Sequence, residues 1–311
     1  MDSPLPRVAT LTLNPTIDAA SEAEAVFPTH KIRTTGERYD PGGGGINVAR
    51  VLARLGEPAT ALYLAGGATG ALLDELLAGT GLIPRPIPIH DHTRMSLTVF
   101  ERSTGQEYRF VPEGPLIAAS EWQAALAACA TLSAEWLVAS GSLPRGVPDD
   151  FIARLAGMAA SQGKKLVVDT SGPALAAALA AGGMFLVKPS RGEFETLSGK
   201  AFASAAEIGA AAQALVHAGK AQFVAVTCGH EGAVLAHAGG VIVHPGIAVP
   251  VRSATGAGDS FVAGMVHGFL SGADAAGALR WAMAAGTAAV LNPGTDLAHP
   301  EDIARMYEQL A

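Results

Sequence analysis

Apolar stretches of strand length alternate with alanine-rich stretches of helical pattern along most of this chain, and this alternation restricts the fold more than any other feature. The predicted strands are VATLTL (8–13), ALYLAG (61–66), WLVAS (136–140), KLVVDT (165–170), FLVKPS (185–190) and FVAVT (223–227). A helix is predicted over 46–56, where apolar residues recur every three or four positions and Gly56 ends the pattern. Such alternation is typical of the α/β class, in which helices cover a parallel sheet and ligands bind beyond the carboxyl ends of the strands.

Two stretches, 16–40 and 85–112, have strand patterns without helices between them. The second contains the turn-forming residues STGQ (103–106), which predict a hairpin. We expect both stretches to form a small antiparallel sheet that covers the site as a lid, and an extension of the main sheet edge is the alternative. The C-terminal stretch 274–310 has the pattern of helices interrupted by PGT (293–295).

The composition favours one large core. Hydrophobic residues make up 49% of the 311 residues and charged residues 16%, so we expect a single domain over 1–311. The net charge of −7 argues against a nucleic-acid partner, which normally requires a basic surface. Cys129 and Cys228 are too few for a disulfide framework and predict a reducing compartment. No signal region or membrane-spanning run is found, so we expect a cytoplasmic protein without a membrane partner.

The segment TGAGDSF (255–261) places a glycine turn at the start of a predicted helix. The first N–H groups of a helix have no partners within it, and the helix dipole adds positive charge, so this turn favours an anion such as a transferring phosphoryl group. Asp259 lies in the turn, where it is either a general base or an ordinary helix cap. The Gly-Lys pairs that begin at 163, 199 and 219 are not followed by Ser or Thr, which excludes a P-loop.

The run PGGGGINVAR (41–50) contains four consecutive glycines. Glycine loses more backbone freedom on folding than any other residue. A run of this kind therefore implies that something lies too close to the backbone for a side chain.

Five separated motifs resemble, in family order, those of the ribokinase-like, PfkB-type carbohydrate kinases. They are TLTLNPTID (10–18), GGGGINVARVLARLG (42–56), SGSLPRGV (140–147), LVKPSRGEFETL (186–197) and TGAGDSF (255–261), and LNPGT (291–295) extends the match. Within the family, AGGATG (65–70) and EYRFVPEG (107–114) are most similar to the minor bacterial 6-phosphofructokinases. The resemblance implies a three-layer α/β/α fold with a mostly parallel central sheet and a small β lid, which often forms the interface of a homodimer.

The resemblance also implies the reaction, which is ATP-dependent phosphorylation of the 1-hydroxyl of fructose 6-phosphate to fructose 1,6-bisphosphate. ATP and a small sugar phosphate are thus the expected partners. Relatives that act on fructose 1-phosphate or tagatose 6-phosphate usually carry a lysine where this chain has Gly45, which favours fructose 6-phosphate. Those two acceptors remain alternatives, as do a nucleoside or ribose kinase and a non-catalytic sugar-phosphate sensor.

Roles for individual residues follow from the same resemblance. Asp259 is the expected base, kept ionised by the helix dipole, and the N–H groups of Thr255, Gly256, Ala257 and Gly258 are expected to hold the phosphoryl group. The expected sugar-binding residues are Asp18, Gly43, Gly44, Asn47 and Ser142, with Lys31, Arg33 and Arg94 on the lid strands as cations for the 6-phosphate. The expected nucleotide-binding residues are Lys188, Thr227, Gly229, Thr255, Gly256, Gly258 and Asn292. The four glycines would then lie against a sugar phosphate.

Phosphoryl transfer implies Mg²⁺, which neutralises the β- and γ-oxygens of ATP. The metal-orienting motif of the family is Asn-x-x-Glu after a Lys-Pro pair. This chain keeps Glu193, expected to act through water, but has Ser190 in place of the asparagine. Asp169 either helps to hold metal-bound waters or simply caps a strand end. The residues expected near a monovalent cation such as K⁺ are Ser253, Thr255, Asn292 and Gly294.

Overall fold

Thirteen strands and ten α-helices are present in residues 6–310, the part of the chain that this computed structural model describes. The strands are β1 (Val8–Thr12), β2 (Thr16–Ala23), β3 (Thr34–Gly42), β4 (Ala59–Ala65), β5 (Ile83–Pro88), β6 (Arg94–Glu101), β7 (Gln106–Phe110), β8 (Trp136–Ser140), β9 (Lys165–Asp169), β10 (Met184–Val187), β11 (Ala221–Thr227), β12 (Gly232–His237) and β13 (Gly240–Pro245). The helices are α1 (Gly44–Arg54), α2 (Gly67–Leu77), α3 (Ala119–Ala130), α4 (Phe151–Ser161), α5 (Gly172–Ala181), α6 (Arg191–Ser198), α7 (Ala205–His217), α8 (Ala257–Leu270), α9 (Ala275–Val290) and α10 (Pro300–Gln309). Residues 1–5 and 311 of the predicted domain 1–311 lie outside the described residues, as does most of the N-terminal segment whose composition predicts no signal region.

The large sheet contains nine of the described strands, in the order β13-β12-β11-β10-β9-β8-β1-β4-β5. Neighbours from β11 to β5 are parallel, whereas β12 is antiparallel to both β11 and β13. The sheet is therefore mostly parallel, as the alternation of strands and helices predicts. Because β1, β8, β9 and β10 are neighbours, their carboxyl ends lie side by side.

Helices cover both faces of the large sheet, which gives three layers. Successive residues of a strand point to opposite faces. Leu137 of β8 packs in one buried cluster with Leu155 of α4, whereas Val138 packs in the other with Val262 of α8. This burial on both faces explains why the sequences of the central strands are continuous apolar runs.

The lid is a four-stranded sheet of order β3-β2-β6-β7. Its outer pairs are antiparallel, but β2 and β6 are parallel, so the prediction of an antiparallel sheet is wrong at the central pair. The parallel pair follows from the path of the chain, because β2 and β6 directly follow β1 and β5, which run in the same direction. The hairpin at 103–106 is confirmed, since Glu101 pairs with Gln106 across it.

The stretch 85–90, predicted as part of the lid, instead belongs mostly to β5 at the edge of the large sheet, parallel to β4. The prediction overlooked α2, which joins β4 and β5 into one strand–helix–strand unit. Pro84, Pro86 and Pro88 alternate along β5. Proline has no N–H to donate and is therefore tolerated at a sheet edge, where alternate N–H groups point away from the neighbouring strand. These prolines also discourage another chain from pairing with this edge.

Two further expectations from the sequence concern membrane-spanning helices and the state of the two cysteines. Within residues 6–310, no helix combines the length and the apolar character needed to cross a bilayer. Cys129 and Cys228 are free thiols, and burial raises the pKa of the Cys129 thiol to about 12. The Cys129 thiol is therefore an inert part of the core.

Candidate active site

Polar side chains at three neighbouring strand ends meet the first turns of α1 and α8. Ser140 is the last residue of β8, Asp169 is the last residue of β9, and Lys188 directly follows β10. The four-glycine run leads into α1, and the TGAGD turn leads into α8. The candidate site therefore lies beyond the carboxyl ends of the parallel strands, the usual place for ligands in this fold class.

Asp259 lies in the first turn of α8, but its side chain does not cap that helix, which begins after Gly256. Asn47 Nδ2 donates to Asp259 Oδ2 at 2.9 Å, and Ser140 Oγ donates to Asp259 Oδ1 at 3.4 Å. The cap interpretation of Asp259 is therefore wrong, and Asn47 contacts another element rather than its own turn. Ser140 is not among the predicted residues, because a small polar residue at a strand end is too common to stand out in a sequence.

The pKa of Asp259 is raised to about 6. Part of the side chain reaches solvent, but protein atoms surround the carboxylate, and this desolvation is the main cause of the shift. The nearby Asp169 adds to it, while the hydrogen bonds from Asn47 and Ser140 and the charge of Lys188 oppose it. The helix dipole therefore does not set the ionisation of Asp259. A carboxylate with this pKa is mostly ionised at neutral pH and accepts a proton more readily than a solvated aspartate.

The TGAGD turn has a cation directly above it. A Cβ atom placed on Gly258 would have Lys188 Nζ as its nearest neighbour from elsewhere in the chain, at 3.6 Å. Gly256 has a φ of 74°, which side chains rarely adopt, and a Cβ atom there would collide with Leu297. The N–H groups of Gly258 and Asp259, in the first turn of α8, have no acceptor within the helix. The turn can therefore offer hydrogen bonds and a positive charge to one anion.

Lys188 is buried, and its Nζ lies 3.1 Å from Asp169 Oδ1. Burial opposes the charge on Lys188, but Asp169, Glu193 and Asp259 outweigh it and raise the pKa of the amine. Lys188 is therefore charged at neutral pH. Burial raises the pKa of Asp169 as well, and the adjacent ammonium opposes that shift. A buried ion pair is a weak source of stability, so its position above the turn favours a role in binding.

Ser190 and Glu193 form a capping box at the start of α6. Glu193 Oε2 accepts hydrogen bonds from Ser190 N at 2.7 Å and from Ser190 Oγ at 2.8 Å. Serine in place of the family asparagine therefore still caps the helix. Among residues 6–310, no three His, Cys, Asp or Glu side chains cluster as metal ligands. Glu193, held by Ser190, and Asp169, paired with Lys188, fit contacts to a metal through water better than direct ligation.

The glycine run ahead of α1 is enclosed by the protein itself. A Cβ atom on Gly42 would collide with Asp18, and one on Gly44 would collide with Ser140. Gly43 has a φ of 115°, which strongly favours glycine. Neighbouring protein atoms already exclude side chains from this run, so its glycines alone do not indicate a ligand, and the contact with a sugar phosphate stays a prediction. Asp18 and Ser140 are polar groups of the candidate site, so the glycines let the backbone approach them closely.

Gly45 has a packing reason of its own in this chain. A Cβ atom at this position would lie 2.6 Å from the carbonyl oxygen of Leu11 and 2.6 Å from Oγ1 of Thr12, closer than such atoms can pack. Packing against β1 therefore excludes every side chain, lysine included, from this backbone position. Packing thus explains Gly45 without reference to the substrate, and its link to fructose 6-phosphate stays a prediction.

Asp18 lies on β2, at the base of the lid, where Ser96 Oγ donates to its Oδ1. Desolvation raises the pKa of Asp18, while Ser96, Arg109 and Arg94 oppose the shift. Ser96 and Arg109 are not among the predicted residues. The strand pairing could have indicated Ser96, since it lies directly opposite Asp18 in the register of β2 and β6.

Arg94 fastens the lid to the rest of the chain. Its guanidinium donates to the backbone carbonyls of Pro15, Pro112 and Asn14 at 3.4, 3.0 and 2.9 Å. Three of its five N–H groups are thus engaged, and two remain for a ligand. Asn14, a further residue that is not predicted, donates through Nδ2 to Ser142 Oγ at 3.1 Å. Arg94 and Ser142 therefore come together around Asn14.

Lys31 and Arg33 are in a different setting from Arg94. Both lie in the loop between β2 and β3, rather than on the lid strands where they were expected, and both are exposed. The alternating pattern of the lid strands does not continue through this loop. The predicted phosphate site therefore contains one cation fixed by hydrogen bonds and two exposed cations.

Three further residues predicted to contact the nucleotide, Thr227, Gly229 and Asn292, lie at the loops that follow β11 and α9. The N–H of Thr227, at the end of β11, donates to Pro189 O at 3.1 Å, and Gly229 begins the turn that follows. Asn292 Nδ2 donates to Leu297 O at 3.1 Å, so this amide closes the loop after α9. The contact of Asn292 with an adenine base stays a prediction.

The loops around Ser253 and Gly294 are tied to each other and to the lid. Ser253 Oγ donates to Gly294 O at 2.7 Å and accepts from Thr255 N at 3.2 Å, so this predicted anion-binding N–H already has a partner. Thr295 Oγ1 donates to Asp40 Oδ2 of β3 at 2.6 Å. Hydrogen bonds and one peptide step thus connect a lid strand with the TGAGD turn.

Comparison with known proteins gives full-length matches. A family model described as pfkB family carbohydrate kinase matches residues 11–302. The ATP-dependent 6-phosphofructokinase isozyme 2 of Mycobacterium tuberculosis (strain ATCC 25618 / H37Rv) is 40% identical over 312 residues, covering 100% of this chain and 91% of the relative. The isozyme 2 of Escherichia coli (strain K12) is 39% identical, with 98% and 99% covered. A 1-phosphofructokinase of Rhodobacter capsulatus is 32% identical, with 96% and 95% covered.

Solved structures match over the same extent. Phosphofructokinase-2 from Escherichia coli in complex with potassium superimposes with a TM-score of 0.94 at 38% identity, covering 98% of this chain and 99% of that chain. The same enzyme in complex with fructose-6-phosphate gives a TM-score of 0.91 at 37% identity, with the same coverage. Its tetrameric inhibited form also gives a TM-score of 0.91, again at 37% identity with 98% and 99% covered.

Proposed function

Since this chain belongs to the PfkB family of carbohydrate kinases, we propose that it transfers the γ-phosphoryl group of ATP to the 1-hydroxyl of fructose 6-phosphate. The observation that carries the proposal is the enclosed carboxylate of Asp259 beside a glycine turn and Lys188. A base, N–H donors and a cation then surround the place where a hydroxyl and a phosphoryl group would meet. The names of the 6-phosphofructokinase relatives, which match almost the whole chain, support the choice of acceptor.

In the proposed reaction, Asp259 takes the proton of the sugar hydroxyl as its oxygen attacks the γ-phosphorus. A pKa of about 6 keeps Asp259 ionised at neutral pH and makes it a better proton acceptor than a solvated aspartate. Asn47 and Ser140 orient the carboxylate through their hydrogen bonds. Desolvation favours the neutral form that Asp259 reaches after taking the proton.

Lys188 and the first turn of α8 are proposed to stabilise the negative charge of the transferring group. The pair with Asp169 fixes the Lys188 ammonium above Gly258, so little reorganisation is needed during the reaction. Donors and cations act more strongly in a site from which water is excluded, because the effective dielectric constant is lower there.

Glu193 and Asp169 are the residues that we propose for Mg²⁺, both through water. When bound, Mg²⁺ neutralises charge on the phosphates of ATP. This ion usually keeps several of its waters in kinase sites. Carboxylates already engaged with Ser190 and Lys188 suit contacts of this kind.

The substrate contacts proposed for this chain follow the family positions. For the sugar they are Asp18, Gly43, Gly44, Asn47 and Ser142, and for its 6-phosphate they are Lys31, Arg33 and Arg94. For the nucleotide they are Lys188, Thr227, Gly229, Thr255, Gly256, Gly258 and Asn292. The potassium complex of the Escherichia coli relative supports a K⁺ site near Ser253 and Gly294, whose oxygens lie 2.7 Å apart.

The outer face of the lid is the interface that we propose for a homodimer. Tyr39, Ala19, Leu97 and Phe110 follow one another across the four strands in direct register, so they share one face. Tyr39 is 47% exposed, Leu97 is 42% exposed and Phe110 is 59% exposed. Ala19 is buried, but exposed apolar side chains on one face, such as the other three, are typical of an interaction surface. Sedimentation tests this proposal, and Leu97→Glu should convert a dimer into monomers.

The cytoplasm is the location that we propose. Cys129 and Cys228 are free thiols, as in proteins of a reducing compartment. ATP, the proposed donor, is available there. The net charge of −7 gives no support for a nucleic-acid partner.

Turnover with a panel of acceptors tests the proposed function. The panel contains fructose 6-phosphate, fructose 1-phosphate, tagatose 6-phosphate and ribose, each with ATP, and we expect the highest kcat/KM for fructose 6-phosphate. The other phosphosugars belong in the panel because packing explains Gly45 without reference to the substrate and because a 1-phosphofructokinase is also a relative. Turnover of another acceptor without turnover of fructose 6-phosphate would contradict the proposal. Binding of sugar phosphates without any turnover would instead favour a sensor.

A further inference from the structure

Arg145 is a cation with no role in the substrate contacts above. It lies three positions after Ser142 in the sequence, and its side chain is 60% exposed. It lines an open groove of about 520 Å³ together with Arg94, Ser142 and Asn14. The groove thus brings an unassigned guanidinium to the two residues, Arg94 and Ser142, that we assign to the sugar phosphate.

Hydrogen-bond donors face this groove. Ser142 Oγ accepts from Asn14 Nδ2 at 3.1 Å, which leaves its own O–H free to donate. Arg94 retains two N–H groups after its bonds to three backbone carbonyls. Donors grouped in this way favour an anion with several acceptor oxygens, such as a phosphate.

Arg94 by itself is a poor match for a phosphate. A phosphate monoester carries close to two negative charges at neutral pH and three strong acceptor oxygens. Most of the hydrogen-bonding capacity of Arg94 holds the lid in place. A second cation beside Arg94 would improve the match, and Arg145 lines the groove, whereas the exposed Lys31 and Arg33 are not among its lining residues.

The guanidinium of Arg145 is held in a way that leaves it available. Its Nη2 donates to Gly114 O at 3.2 Å, and its Nε lies 3.6 Å from Glu113 Oε2. Glu113 is 81% exposed, and ion pairs between exposed groups contribute little. A phosphate dianion entering the groove can therefore replace Glu113 as the partner of Arg145.

We propose that Arg145 is a further phosphate-binding residue, which acts with Arg94 on the phosphate of the sugar substrate, next to Ser142 at the sugar. The inference rests on the proposed function, since the acceptor must be a sugar phosphate. In this arrangement Glu113 competes with the substrate for Arg145. Arg145 then contributes to the choice of a phosphorylated sugar over an unphosphorylated one.

Steady-state kinetics of Arg145→Ala, Arg145→Lys and Glu113→Gln test this role, with the sugar phosphate of highest kcat/KM in the panel and with ATP. We expect Arg145→Ala to raise the KM for the sugar phosphate about tenfold and to leave the KM for ATP within about twofold, the effect of one exposed charge-assisted hydrogen bond. Arg145→Lys should restore part of the loss. Glu113→Gln should lower the KM for the sugar phosphate about twofold, because it removes the competing charge. The matched control is Arg154→Ala, which removes an arginine of α4 that is exposed to a similar degree and is paired with Asp150.

The outcomes separate this inference from the proposed function. If the wild-type enzyme turns over a sugar phosphate and Arg145→Ala has an unchanged KM for it, the role of Arg145 is refuted and the function stands. Equal increases in both KM values would show that Arg145 only supports the fold. If the wild-type protein phosphorylates no sugar phosphate, the proposed function fails first and the inference fails with it.

Discussion

The two glycine-rich turns of this chain are alike in composition but differ in their surroundings. Cβ atoms placed on Gly44 and Gly45, the first two residues of α1, would collide with the ends of β8 and β1. A Cβ atom placed on Gly258, in the first turn of α8, would have no neighbour from elsewhere in the chain closer than Lys188 Nζ, at 3.6 Å. The first turn is rich in glycine because protein atoms press against it, whereas Gly258 leaves room for a ligand. A glycine run therefore identifies a close approach, and only its neighbours show what approaches.

Asp259→Asn is the strongest test of whether the second turn, TGAGD, supplies the general base. Asparagine can still accept a hydrogen bond from Asn47 but cannot take a proton, so we expect kcat to fall by about 10²–10⁴-fold. The measurement is a coupled assay at saturating substrates. A variant that kept a robust wild-type rate would show that the second turn does not supply the base.

The control for Asp259→Asn is its free energy of unfolding, which we expect not to fall although kcat does. A carboxyl group whose pKa is raised from 3.8 to about 6 on folding lowers the stability as the pH rises through this interval, and the loss is complete above it. Asp259→Asn removes this disfavoured charge. We therefore expect its free energy of unfolding at pH 8 to be equal to that of the wild type or about 1–3 kcal/mol higher.

A pair of alanine substitutions tests the contrast between the turns directly. Gly45→Ala should lower the free energy of unfolding by about 1–3 kcal/mol, because its Cβ atom overlaps Leu11 and Thr12. Gly258→Ala should leave the free energy of unfolding unchanged or raise it by up to about 1 kcal/mol, because alanine favours a helix. The same substitution should lower kcat, because the added methyl group takes up room left for the ligand. Urea unfolding measures the first effect and turnover the second. The contrast would be disproved if Gly258→Ala were the less stable variant.

The pH dependence of turnover connects the two turns through Asn47. Below about pH 6, kcat/KM for the sugar phosphate should fall about tenfold per pH unit, because protonated Asp259 cannot act as a base. Asn47, on the helix that follows the first turn, lowers the pKa of Asp259 through its hydrogen bond. Asn47→Ala should therefore move this acidic limb to higher pH. A limb at the same pH in both proteins would mean that another group titrates.

Gly42→Ala should have the smallest effect on kinetics among the variants of the two turns. It tests whether Asp18, which lies against the first turn, also binds the sugar. Its Cβ atom would displace the carboxylate of Asp18, which can move, so we expect little change in stability. If Asp18 holds the sugar, the KM for the sugar phosphate should rise roughly threefold, the value of about one weakened hydrogen bond. The KM for ATP serves as the internal control. An unchanged KM for the sugar phosphate would remove Asp18 from the sugar site.

The sequence predicts the large sheet well because its central strands are apolar on both faces and because β4, β8, β9 and β10 are each followed by a helix. The prediction fails at β5. This strand contains prolines and only one buried apolar residue, as a lid strand would, and only its pairing with β4 shows that it belongs to the large sheet. It also fails at the direction of β2 and β6, which depends on the path of the chain rather than on either strand alone.

The sequence predicts those residues of the candidate site that stand out at the ends of predicted strands. Asp169 and Lys188 can be singled out because charged side chains are rarely buried, so one that directly follows a buried apolar strand indicates a partner or a ligand. Ser140 and Asn14 cannot, since small polar residues are frequent in such positions and their value arises from contacts across the fold. Packing at Gly45 is equally inaccessible to sequence reasoning, because its close neighbours come from a strand more than thirty positions away.

The hydrogen bond between Thr295 and Asp40 has a consequence for the two substrates together. Thr295 follows Gly294, whose carbonyl accepts from Ser253, and Ser253 in turn accepts from the N–H of Thr255. A ligand that shifts the lid therefore also shifts the energy of the segment next to the TGAGD turn. Coupling of this kind is reciprocal, so the factor by which one substrate changes the affinity for the other is the same in both directions.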